Sequence, residues 1–195
     1  MPTTIIIGLI LLVAAVWVIS TYNFFVSSKA RIKAAIQEIG NQLKRQADLI
    51  PNLESSTKGY LTHEKGIFED LTNARRDIAN AVESGDVQKM ADAGARLASV
   101  IPSFKIAVED NPELKASEVV TKLMDELRDT SDKIMYARRL VIDLTVDYNV
   151  RRVTMPSSIV AGMFGFSELP GLITPEKGGH TEVSEAETKT PKVKL

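Results

Sequence analysis

The sequence predicts an all-α protein, with an N-terminal transmembrane helix followed by an antiparallel up-and-down bundle of long helices. Three observations predict it. Residues 2–28 carry no charge and contain a dense apolar run from Ile5 to Ile19. Beyond them, apolar residues recur at steps of three and four over most of the chain, which marks amphipathic helices. No strand-like alternation of useful length interrupts that pattern.

The first element, residues 1–28, reads as a transmembrane anchor and its exit. A helix needs about 20 mostly apolar residues to cross a bilayer. The run supplies them if Ser20, Thr21, Tyr22 and Asn23 are tolerated on the way to Val26. Trp17 and Tyr22 suit the interface, where rings with a polar handle are favoured. A cleaved signal would carry a basic leader, and no Lys or Arg precedes the run, so the anchor is expected to stay. Lys29, Arg31 and Lys33 follow at once, and positive residues remain on the cytoplasmic side. The chain would pass once, with its N-terminus outside and its C-terminal domain cytoplasmic.

The bundle is expected over residues 29–154. Ile32, Ile36, Ile39 and Leu43 form one helical face. The stripe keeps phase through Leu53, Thr57, Tyr60, Ile67, Leu71, Ala74, Ile78 and Val82, yet Pro51 stands inside it. Two readings are open. Pro51 either kinks a single helix running from the membrane to about Glu83, leaving three long helices, or it sits in the first turn after a hairpin capped by Asp48. The second reading is preferred and gives four helices, roughly Tyr22–Ala47, Leu49–Glu83, Asp86–Asp110 and Glu113–Thr154, joined by the short loops of an up-down bundle. Gly85 suits a C-terminal cap and Asp86 the next N-cap. Pro102 should bend or break the third helix. Asn111 before Pro112 suits a turn and a fresh start. The last helix carries Val119, Leu123, Leu127, Thr130, Ile134, Ala137, Val141, Leu144 and Tyr148 on one face.

Lys+Arg totals 24 and Asp+Glu 25, for a net charge of −1, and a nucleic-acid partner is not expected from that balance. The absence of cysteine removes disulfides, thiolate zinc sites and cysteine nucleophiles. His63-Glu64 begins like a zinc-protease motif, but no histidine follows at the required spacing, and His180 lies in the tail. Asp125, Asp129 and Asp132 share a face with Glu126 nearby. With Arg128 and Lys133 among them, a solvated helix face is the better reading than a cation site. No phosphate loop or nucleophile elbow is present. No catalytic residue, metal or cofactor is assigned, and the protein is read as non-enzymatic.

Landmarks from Tyr22 to Phe166 resemble the LemA family of bacterial membrane proteins. They are YNFFV (22–26), QLKRQADLIPNL (42–53), KGYLTHE (58–64), AR (74–75), NPELKA (111–116), ELRDTSDKIMYAR (126–138), DYN (147–149), MP (155–156) and FGF (164–166). The resemblance implies an N-terminal anchor and an antiparallel four-helix bundle, with the bacterial inner membrane, or a membrane derived from it, as the expected location, and it supplies no catalytic residues. Gln46, Val141-Ile142, Met155 and Gly40 depart from the family's usual pattern. The chain therefore resembles a divergent member, akin to the MamQ-type magnetosome membrane proteins, for which a specialised membrane role is implied.

Two surfaces are candidate sites. Lys44, Arg45, Asp48, Pro51 and Asn52 would form a charged tip far from the membrane, either a local turn stabilised by an Arg45–Asp48 pair or a partner-recognition surface. Arg75, Arg138 and Asp147 would be polar links between helices. Residues 155–166 form an uncharged segment after Arg151-Arg152, read either as interfacial or as a cap on the open end of the bundle. Membrane contact is assigned to Trp17, Tyr22, Lys29, Arg31, Lys33, Arg151, Arg152, Met163, Phe164 and Phe166. Residues 167–195, rich in Pro, Gly and mixed charge, read as a disordered tail. The expected function is a self-assembling scaffold that organises or shapes the membrane, with the bilayer and further copies as partners. The alternative is a monomeric tethered adaptor for a membrane enzyme or sensor.

Overall fold

A computed structural model describes residues 2–61 and 64–172. Those residues form six helices: α1 Pro2–Thr57, α2 Lys65–Ser84, α3 Val87–Glu109, α4 Pro112–Lys115, α5 Glu118–Val153 and α6 Ser157–Met163. No strand occurs among the described residues. The second half of α1 forms an up-down-up-down bundle with α2, α3 and α5.

The expected turn at Ala47–Leu49 does not exist. α1 continues through Pro51 to Thr57, and Asp48 is an exposed mid-helix residue rather than a cap. The reason is packing. Leu43, Ala47, Ile50, Leu53 and Thr57 are all buried on one face. Each large apolar side chain contributes about 1.5–3 kcal/mol on burial. Together they outweigh the roughly 3 kcal/mol cost of a proline inside a helix. The reading of one helix from the membrane to Glu83 fails as well, because α1 ends at Thr57 and the chain turns at residues 58–60. At residues 58–61 the Lys58 and Leu61 amides donate to the Glu54 and Thr57 carbonyls at 2.9 and 3.0 Å. Leu61 tucks inward, whereas Tyr60, expected in the core, is exposed. The bundle thus has four long helices, but its first turn lies about ten residues beyond the proline.

The other boundaries follow local chemistry. Gly85 takes a left-handed φ of 67° and closes α2. The Asp86 carboxylate accepts from the Gln88 and Lys89 amides. Pro102 faces solvent and α3 passes through it, held by buried Leu97 and Phe104 on either side. Asn111 caps α4, which lasts one turn. Ser117 then starts α5 afresh. Within α5, Val120 lies seven residues, nearly two whole turns, before the buried Leu127, so Val120 is buried and the expected Val119, off that face, is exposed.

Antiparallel α1 and α5 form the principal pair, with Gln46 beside Ser131 and Phe25 against Tyr148. α2 and α3 form a hairpin joined outside the core by Arg96 and Asp77 at 2.7 Å. α3 meets α1 closely where a Cβ on Gly94 would lie 3.2 Å from Leu43 Cδ2. The main core fills the space among α1, α2, α3 and α5. A second, smaller core of Phe25, Ile32, Tyr148 and Ala161 lies at the membrane end and draws on α1, α5 and α6.

Pro51→Ala restores a backbone donor inside a continuous helix. We expect it to raise thermal stability by about 1–3 kcal/mol, measured by the melting of helical circular dichroism in detergent. A drop in melting temperature would instead indicate a turn at this proline.

Candidate membrane interface

Residues 3–20 of α1 stand clear of the bundle, with only Val18 half-buried. The most apolar 18-residue window of α1 has a mean hydropathy of 2.6, and none of it is covered by protein. Eighteen residues give about 27 Å of helix, close to the roughly 30 Å hydrocarbon thickness of a bilayer. The first buried residues, Thr21 and Phe25, come immediately afterwards. Bare helix and packed helix therefore meet where the membrane surface would lie.

An aromatic collar occupies that level. Phe25 stacks on Phe166 with ring centroids 4.8 Å apart and meets Tyr148 edge-on at 5.4 Å. Tyr22 touches Phe164 edge-on at 4.9 Å. The Lys29 ammonium sits 5.3 Å over the Phe166 ring, and the Arg151 guanidinium lies 4.0 Å over Phe24. Such contacts add to the burial of the rings themselves. The Met155–Pro156 peptide bond is cis. The chain reverses there, and α6 brings Ser157, Val160 and Ala161 into the interior. Gly165, at φ 68°, turns the chain again so that Phe166 enters the collar. The inner side of the segment therefore packs on α1 and α5. The chain here also leaves Val153, Met155, Ile159, Met163 and Phe164 exposed, and Trp17 shares a shallow cleft with Met155 and Pro156.

The start of the expected tail is fixed to the bundle. The Tyr148 hydroxyl donates to the Ser167 carbonyl at 3.0 Å. Asn149 pairs with both backbone groups of Leu169, donating at 2.8 Å and accepting at 3.0 Å. Arg152, assigned above to lipid headgroups, is half-buried and pairs with Glu168 at 3.0 Å. Arg151 remains exposed, as do Arg31 and Lys33. Residues 173–195, with His180, and the Thr62-His63 pair lie outside the described residues.

The charged tip does not assemble. Residues 44–52 lie within α1 and point in different directions. Arg45 reaches α5 and pairs with Glu126 through Nε at 2.9 Å and through Nη2, not with Asp48. That hydrogen bond and the Glu126 charge raise the Arg45 pKa further above its usual value. Lys44 faces the α2–α3 side, Asn52 is exposed, and Pro51 is half-buried. Beside Arg45, the buried Gln46 donates to Ser131 Oγ at 2.7 Å. Sequence reasoning misses this polar seam, and the departure from the family's usual pattern at Gln46 is its one visible sign there. Arg75 and Asp147 are exposed and Arg138 is half-buried, so the first two are not internal links. In the acidic group, Asp125 pairs with Arg128 and Asp129 with Lys133. No cluster able to hold a metal ion occurs among the described residues.

These features define a helical bundle continuous with a helix long and apolar enough to cross a membrane. A family model described as the LemA family matches residues 35–194, and the chain belongs to that family. No curated protein matches it.

Removing the Phe166 ring should open the collar. We expect Phe166→Ala to cost about 2 kcal/mol, read by thermal melting, whereas Met163→Ala on the outer side should change stability little. The collar also carries a pH signature. Burial holds the Tyr148 pKa above the ordinary 10.0, partly offset by the Arg152 charge. The unfolded chain loses this proton first, so the contribution is complete below about pH 10. It is lost as pH rises through the folded value. Melting temperatures of the native chain should therefore fall more steeply above about pH 10 than those of Tyr148→Phe.

Proposed function

We propose that this protein is a non-enzymatic, single-pass membrane scaffold that organises or shapes the bilayer by self-association of its helical bundles. The observation that carries the reading is an outward apolar stripe on α5. Met135, Val146, Val150 and Val153 are more than half exposed, and Ile142 is half-buried between them. With Arg139 they follow steps of four, three, four, four and three, the spacing of a helix–helix seam. The stripe lies largely on the membrane-side half of α5, where the second core contains no residue of α2 or α3.

Anchoring decides which copy-to-copy geometry can use the stripe. Copies inserted in one bilayer with one orientation present α5 in parallel. A two-fold axis along the membrane normal then sets each residue against its own counterpart. Because α1 is unbroken from span to bundle, the angle at which two bundles meet fixes the angle between their spans. A tilt imposed this way is a direct route from packing to curvature. The exposed apolar residues of α6, beside Trp17, support a second contact with the membrane surface. On this reading the expected location remains the bacterial inner membrane, with the bundle in the cytoplasm. LemA is not a known enzyme family, which agrees with a structural role.

The chain has no cysteine, so single-cysteine crosslinking is clean. In native membranes, Val146→Cys should form disulfide-linked dimers under mild oxidation, and Lys122→Cys, off the stripe, should not. Electron microscopy of the full-length protein on liposomes should show regular assemblies or deformed vesicles. Monodisperse monomers on undisturbed vesicles, with no crosslink at position 146, would favour a monomeric adaptor.

A further inference from the structure

The α2–α3 turn leaves a cleft along α1 between Lys29 and Lys44, on the membrane side of the bundle. Its volume is about 910 Å³, within the range of small-molecule sites. Ile32, Ile36, Gly40 and Met90 make an apolar floor, and Val82 and Gly85 lie at the hairpin end. Lys29, Lys33 and Lys44 stand on the rim, and no carboxylate lines the cleft. None of the three lysines has an ion-pair partner among the described residues. Lys29 is held in place over Phe166, at the level where the span ends.

Gly40 adds an independent observation. A glycine in a helix interior costs about 1 kcal/mol relative to alanine. Close packing often explains such a residue, as it does for Gly94. Here a Cβ would meet only the flexible end of Met90, at 3.7 Å from Sδ and 3.9 Å from Cε. Alanine fits, so sterics against the protein do not require glycine. What its absent side chain preserves is depth in the cleft floor.

We propose that this cleft binds an anionic phospholipid drawn from the adjacent leaflet. The phosphate meets Lys29 and Lys33, which lie one helical turn apart on the membrane side. One acyl chain leaves the bilayer and lies on Ile32, Ile36, Gly40 and Met90. The occupant follows from charge complementarity and position. The rim is cationic, the floor is apolar, and the first lysine follows the span directly. A free anion would leave the floor unused, and a neutral lipid would leave the lysines unmatched. The inference uses the membrane anchor but not self-association, so it stands or falls separately from the scaffold.

Distance makes the test selective. Asn41 lies on the rim, about twelve residues beyond Lys29, or about 18 Å along the helix axis. Acyl chains that remain in the bilayer cannot touch it. The full-length chain with Asn41→Trp and Trp17→Phe would be placed in vesicles with brominated acyl chains, which quench tryptophan on contact. We expect at least twofold stronger quenching with brominated phosphatidylglycerol than with brominated phosphatidylcholine. Lys29→Gln with Lys33→Gln should remove the difference between the two lipids. Gly40→Leu, which fills the floor and leaves the lysines in place, should abolish quenching. No quenching in either lipid, equal quenching in both, or quenching that survives Gly40→Leu would overturn the proposal. An acidic amphipathic peptide that protects the introduced indole from aqueous iodide when phosphatidylglycerol does not would assign the cleft to a protein partner and overturn it as well.

Discussion

The backbone of α1 runs from Pro2 to Thr57 without interruption, and the rest of the structure is arranged around that rod. Its first third is bare and apolar, and its remainder is one side of the bundle. No flexible linker separates the two parts. The helical hydrogen-bond ladder alone does not secure this continuity, because Pro51 removes a donor from it. It is secured by the buried face from Ile32 to Thr57, which α5 covers along nearly its whole length and α2 and α3 cover farther from the membrane. Packing decides the backbone here, and the local preference of one residue yields to it.

The two cores have different tasks. The larger one, made of aliphatic residues and Phe104, holds four helices together away from the bilayer. The smaller one is aromatic and sits where α1 leaves the membrane-length span. It is built from α1, α5, α6 and the strap that follows, so the chain returns at its end to the place where the bundle begins. Rings suit that level because each offers a large apolar face while Tyr148 and the nearby cations keep polar contacts. The strap is held by Asn149 and Arg152 rather than by apolar burial alone. A rod locked at this collar carries a load on the bundle into the span, and the proposed scaffold depends on that transmission.

Most of the architecture could be read from the sequence because helical periodicity is strong and the span is uncharged. Gly85, Asp86 and Asn111 act as the caps their chemistry suggests. The misplaced turn at Pro51 has a physical cause: proline is a strong local signal, and the compensating burial is a tertiary effect. The true turn carries weaker marks. Lys58-Gly59 follows the β-branched Thr57, but the apolar stripe continues through it in phase and hides the stop. The α5 restart at Ser117 is hidden by Pro112, which begins a helix one turn long. Site residues are less legible than folds. Arg45 and Asp48 have pairing distance in sequence, yet Arg45 finds a better partner 81 residues away in Glu126, which no local pattern contains. The strap from Ser167 to Leu172 has tail-like composition, and its fixation depends on Tyr148 and Asn149 across the fold.

The most direct measurement of the central claim is a distance along α1. Nitroxide labels at Ala15→Cys and Ser55→Cys, both on exposed positions, bracket the collar, Gly40 and Pro51 in a chain with no other cysteine. Pulsed electron spin resonance on the protein in nanodiscs should give one narrow distribution near about 60 Å, the rise of a continuous helix over that interval. A distribution centred near roughly 42 Å would place a turn at the proline, and a broad one would show that the span and bundle are not a single rod. Either result would contradict this account.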